Sequence, residues 1–155
     1  MGQGFTNYST TVPVVRTLGE IQDLLAQAGA EAVAVKYQDR KPVGVIFTLG
    51  TPHGPRSFNL PVDFQGVRRI LGDQWKAGKI RHGTKAVVTS EDHAARVAWR
   101  VLKQWLEAQL AIIQAHMATL DQVMLPYMLV SPDGATLYQR FEQAGFPALE
   151  TQRGE

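Results

Sequence analysis

The chain has 155 residues, 16 Lys and Arg against 14 Asp and Glu, and no cysteine, which bounds it to one domain without disulfides or cysteine-ligated zinc and agrees with a reducing compartment. No run approaches the roughly 20 consecutive apolar residues of a membrane helix, and the polar, Gly/Thr-rich Met1–Thr11 stretch is no signal peptide. A cytoplasmic single domain over 1–155 is expected, with flexible tails at 1–12 and 147–155 and no membrane association.

Pro13 suggests an extended lead-in. Thr17-Leu18-Gly19-Glu20 matches a capping box, and Leu18, Ile21, Leu24, Leu25 and Ala28 follow at helical spacing up to a closing Gly29. Three strands are expected next: Ala32 to Tyr37, Val43 to Leu49 and Arg56 to Leu60. The turn Asp39-Arg40-Lys41-Pro42 and the stiff loop Thr51-Pro52-His53-Gly54-Pro55 separate them, which favours an antiparallel meander. Asp63 can cap a helix from Phe64 to about Trp75. Lys76 to Lys85 reads as an exposed, mobile loop. Ser90, with Glu91 and Asp92, opens the longest helix, through about Ala118.

That helix carries two apolar seams: Trp99, Leu102, Leu106, Leu110, Ile113, Met117, and Val97, Val101, Trp105, Ala108, Ile112. His93, Arg96, Arg100, Lys103 and Glu107 share the remaining face. Two seams are more apolar surface than a small sheet readily covers. A homodimer with a contact inside Trp99–Met117 is therefore expected; the alternative is that segments 64–75 and 137–144 cover the second seam within one chain. Val123 to Val130, broken by Pro126, suits an edge strand. Pro132-Asp133-Gly134 is a turn, and Thr136 caps a last helix, Leu137 to Ala144, ended by Gly145. The fold expected is α+β: a three- to four-stranded, mainly antiparallel sheet packed on a long amphipathic helix, with shorter N- and C-terminal helices.

Charge is unevenly placed. From Arg68 to Lys103 nine basic residues face three acids, a net +6, while the rest of the chain has seven basic and eleven acidic residues, a net −4. Such a region attracts anionic partners. Arg68, Arg69, Trp75, Lys76, Lys79, Arg81, Lys85, Arg96, Arg100 and Lys103 form the candidate nucleic-acid-binding set. Trp75, with Tyr37 or Phe47 on the sheet, supplies aromatic faces on which single-strand bases stack. Trp99 and Trp105, at helical spacing among Leu and Ile, read as core.

Catalytic readings are weaker. His53, His82, His93 and His116 form no helical metal pair, and no metal or cofactor is expected. Ser90-Glu91-Asp92-His93 offers a nucleophile, acids and a base in sequence, yet helix capping accounts for the Ser and the acids. Asp39, Asp63, Asp73, Glu91, Asp92 and Asp121 could supply a two-carboxylate metal nuclease site, but no motif organises them.

Tyr8-Ser9-Thr10-Thr11-Val12-Pro13-Val14, Thr51-Pro52-His53-Gly54 with Phe58-Asn59-Leu60-Pro61-Val62, Ala95-Arg96-Val97-Ala98-Trp99-Arg100 and Leu125-Pro126-Tyr127-Met128 resemble a family of small proteins of bacteriophages, prophages and mobile elements. The resemblance spans most of the chain. It implies a bacterial or phage setting and DNA transactions, and it assigns no residue a role. The expected function is nucleic-acid binding, single-stranded DNA favoured over duplex, with no readable catalytic motif and a metal-dependent nuclease as the third reading. The alternative is an inhibitor or accessory factor that binds a host or phage enzyme.

Overall fold

The computed structural model describes residues 9–147. Both expected tails, 1–12 and 147–155, lie largely outside that range. Helix α1 (Val14–Gln27) leads into strands β1 (Ala32–Gln38), β2 (Lys41–Thr51) and β3 (Gly54–Pro61). Helices α2 (Phe64–Lys76), α3 (Lys85–Val88), α4 (Glu91–Gln114), α5 (Leu120–Met124) and α6 (Leu137–Gln143) follow, with a 3₁₀ turn at Leu125–Tyr127. The class is α+β, with a three-stranded antiparallel sheet in the order β1-β2-β3.

The hairpin turns follow from local chemistry. Gln38 pairs with Lys41, so Asp39 and Arg40 form a two-residue loop, both at positive φ, +50° and +64°. Two-residue loops of this kind match the right-handed twist of the flanking strands. The second hairpin closes with Thr51 opposite Gly54, whose φ of +95° suits glycine.

Alternation along the strands sets the core face. Val45, Phe47 and Leu49 of β2 and Phe58 and Leu60 of β3 are buried, with Val45 opposite Leu60 and Phe47 opposite Phe58. The Phe47 and Phe58 rings stack at 5.5 Å. On the opposite face Thr48 and Ser57 share a hydroxyl hydrogen bond of 2.8 Å. Leu18, Ile21 and Leu25 of α1, Ala98, Trp99 and Leu106 of α4, and Met124 of α5 complete this main core. A second core, Leu71, Ile80, Val88, Ala94 and Val97, joins α2, α3 and the start of α4.

Several expectations change. Helix α1 starts a turn before the anticipated capping box, with Pro13 at its N-cap. Thr17 is then inside the helix and fully buried, and Glu20 serves a tertiary ion pair instead. Gly29 does end the helix: its N–H bonds to the Ala26 carbonyl and the Ala30 N–H to that of Leu25, the paired bonds of a Schellman motif. Helix α4 has 24 residues and stops at Gln114, because His116 turns left-handed at φ +59° and the same bond pair closes the helix. The expected edge strand Val123–Val130 is mostly helical. Thr119 and Gln122 build a capping box for α5, Pro126 sits in the 3₁₀ turn, and only Met128 and Leu129 make isolated bridges, to Phe58 and Thr136. Thr136 and Gln139 cap α6 as a second such box. No described helix is long and apolar enough to cross a membrane.

Candidate functional site

The ten candidate residues divide into two groups. Arg68, Arg69, Lys76, Lys79, Arg81 and Lys85 are all exposed, and none has an ion-pair partner among the described residues. Over residues 68–85 these six face the single acid Asp73, a net +5. Arg69 and Lys76 stand seven residues apart on α2, two helical turns, and so share a face.

This surface has a rigid base. Asp63 caps α2 through a 2.9 Å bond from the Gly66 N–H. Residues 77–84 form an exposed loop, as expected within 76–85, but one anchored at both ends and at Ile80. Ile80 and Val88 are buried in the second core, and Lys85 lies on α3, which Thr84 caps by accepting from the Val87 N–H. The Arg68 Nε donates to the Thr89 carbonyl at 2.8 Å, which ties α2 to the end of α3. The Thr89 hydroxyl donates to the Lys85 carbonyl at 2.6 Å. Thr84 and Thr89 were not singled out from sequence: threonines in a loop carry no spacing signal until their backbone partners are known.

The other four candidates sit differently. Arg100 and Lys103 are not on a solvent face, because α1 covers that side of α4. Glu20 of α1 pairs with Arg100 Nη1 and, at 3.2 Å, with Lys103 Nζ; Lys103 also pairs with Glu107 at 3.1 Å. Arg100 Nη1 donates further to the Thr17 hydroxyl at 3.3 Å. Burial raises the Glu20 pKa, but the hydrogen bonds and charges of Arg100 and Lys103 outweigh it and hold the carboxyl below its usual range. Two of the nine cations are thus neutralised internally. Arg96 is half-buried against a cavity of about 240 Å³ that Lys41, Phe64, Glu91 and Asp92 also line, so its surroundings are mixed in charge. Trp75 is half-buried against the second core.

Phe47 is withdrawn altogether, since its ring is in the main core at 1% exposure. Tyr37 is exposed, on β1 rather than α2. His93, expected on the polar face of the long helix, is buried.

Ser90 acts as a cap: its hydroxyl accepts the His93 N–H at 3.2 Å and donates to the Val87 carbonyl at 2.7 Å. Glu91 bonds Lys41 at 2.7 Å, and that ammonium, with a smaller contribution from Arg68, holds its carboxyl below the usual range. The described residues hold no group of three or more His, Asp or Glu side chains placed to bind a metal. Comparison with protein-family models, with curated proteins and with solved structures finds no match.

Proposed function

We propose that this protein binds nucleic acid through the cationic surface of α2 and α3, within a phage or mobile element. One observation carries the reading: Arg68, Arg69, Lys76, Lys79, Arg81 and Lys85 are exposed and have no ion-pair partner among the described residues, on a segment anchored to a core by Leu71, Ile80 and Val88. Displaced counterions drive the association of such cations with phosphates. The contact is with the backbone, so little sequence preference is expected. Single-stranded DNA stays the favoured form on the strength of Trp75, half-buried in the last turn of α2.

Neutralising Lys79, Arg81 and Lys85 together to Gln tests this. Titration with labelled single- and double-stranded oligonucleotides at two salt concentrations should show weaker binding and a log–log salt slope reduced by about 2–3. The melting temperature should hold, since these side chains are exposed. Unchanged affinity removes α3 and its approach from the site.

A protein-binding inhibitor or accessory role is the second reading. The exposed aromatic cluster Tyr138, Phe141 and Phe146 favours it, with ring centroids 5.6 and 6.3 Å apart around Phe146. A nuclease-resistant pull-down that Phe141→Ser abolishes would support it over the first.

A further inference from the structure

A further cavity borders the start of the cationic helix. Tyr37 and Gln38 at the end of β1, Asn59 of β3 and Gln65 of α2 line a hollow of about 550 Å³, a size that suits a small-molecule group. Lys36 and Asp63 are the charged residues of its wall, one of each sign. The Asp63 carboxylate is already engaged by the Gly66 N–H at the α2 N-terminus. The cavity is thus close to neutral, although the cationic surface begins one turn further along α2.

Its wall suits a flat, uncharged ring. Tyr37 is 61% exposed, and no described ring or cation stacks on it. The pairing of β1 with β2 slips beside it: Lys36 is opposite Gly44 and Tyr37 opposite Pro42, which leaves Val43 as an extra residue. Bulges of this kind re-aim side chains at sheet edges. Lys36, Tyr37 and Gln38 all border the cavity, whereas neighbours on a regular strand point to opposite faces. Asn59 brings an amide whose Oδ1 is buried with no hydrogen-bond partner. Rotation about its soft terminal torsion offers either the carbonyl or the NH₂ group to the cavity.

Helical spacing connects this cavity to the cations. Gln65, Arg69 and Lys76 follow at steps of four and seven on one face of α2, so Arg69 lies about 6 Å and Lys76 about 17 Å along the axis from Gln65. We propose that a base of a single-stranded nucleic acid enters the cavity and stacks on the Tyr37 ring, while the adjoining phosphates follow Arg69 and Lys76. The uncharged base matches the neutral hollow, and the charged backbone matches the cations beside it. A base paired inside a duplex cannot reach the ring, so the cavity selects single strands. Stacking itself tolerates any base. The inference rests on the nucleic-acid reading and adds to it the part of the molecule that tells single strand from duplex.

Fluorescence-anisotropy titrations with a labelled single strand, the same strand made abasic throughout, and the duplex test it. Tyr37→Ala should weaken single-strand binding by about 5- to 150-fold, the effect of losing one base–aromatic stack. The salt slope should not change, because the ring carries no charge. Duplex affinity and the melting temperature should hold, since the ring is exposed. Without any substitution, the protein should bind the abasic strand more weakly than the intact one, and Tyr37→Ala should narrow that difference. An abasic strand bound as tightly as the intact one overturns the inference. So does a Tyr37→Ala protein that binds single strands unchanged, or that loses single strand and duplex alike. In those cases the nucleic-acid reading still stands if the Lys79, Arg81 and Lys85 substitutions lower the salt slope. Absence of oligonucleotide binding at low salt overturns the reading and the inference together.

Discussion

Asp39 and Arg40 show what a single backbone position costs. Both adopt positive φ because a two-residue hairpin loop demands it, and Arg carries a Cβ that resists the left-handed region. Asp-Gly is the preferred pair in such a loop. Arg40→Gly should stabilise the protein by about 0.5–1 kcal/mol, the relief of strain exceeding the added freedom of the unfolded chain. That is a rise of a few degrees in Tm, read by thermal melt; a fall would show that the Arg40 side chain holds contacts that outweigh the strain. Glu20 matters in the opposite sense. Its pKa is lowered in the folded state, so its stabilising contribution is present above the unfolded value and is lost as pH falls through the folded one. Denaturant titrations below about pH 5 should therefore show stability falling with acid, and Glu20→Gln should flatten that limb. An acid limb unchanged in Glu20→Gln would assign the loss to other carboxylates, among them Glu91, Asp121 and Asp133, whose pKa values are also lowered.

Helix α4 organises the elements. Its first half is enclosed: Ala94 and Val97 join the second core with α2 and α3, Ala98 and Trp99 join the main core with the sheet and α1, and Arg100 and Lys103 face Glu20 of α1. Its second half is progressively open, from buried Leu106 through half-buried Leu110 and Ile113 to exposed Met117. Leu106→Ala should cost about 2–5 kcal/mol, as deletions in a closed core do. Ile113→Ala should cost clearly less, since its side chain is already half in solvent. Chemical denaturation that ranks the two alike would mean Ile113 is buried in solution, which a dimer present at the assay concentration would produce. Arg100→Ala should fall between an isolated surface charge and Leu106→Ala, because it removes the donor that Glu20 and Thr17 share while Lys103 still pairs with Glu20.

At the scale of the molecule, charge is segregated along α4, with a net +5 over 68–85 near its start and an uncharged stretch at its end. That segregation makes the salt dependence of binding a count of the cations in contact. With six contacts the log–log slope reaches about −5 on duplex DNA and about −4 on a single strand. Arg100→Gln and Lys103→Gln should leave it nearly unchanged, since both cations are already paired with Glu20. A slope that drops as much with these as with Lys79→Gln would mean that Glu20 releases them to the nucleic acid.

Signals carried by local chemistry were legible in the sequence. Asp63, Ser90 and Thr136 were readable as caps, Gly29 as a helix end, and the three strands as a meander, because each depends on residues within a few positions. The cationic segment Arg68 to Lys85 was readable as well, since one acid among six bases leaves most of them without a local partner, but that no distant acid pairs with them is decided by the fold. Pairings between distant segments were not. Only packing of α1 on α4 sets Glu20 against Arg100 and Lys103, 80 and 83 residues on, and so removes them from the surface. Only the stacking of sheet on helices decides that Phe47 faces inward, since a strand side chain on either face looks the same in one dimension. The capping box of α5 competed with an apolar run and won, because Pro126 breaks a strand ladder but suits a 3₁₀ turn. A largely apolar cavity between the ends of α1 and α4 exists only once two stretches more than 70 residues apart meet, so the sequence determined its composition and the tertiary structure decided that it is a surface at all.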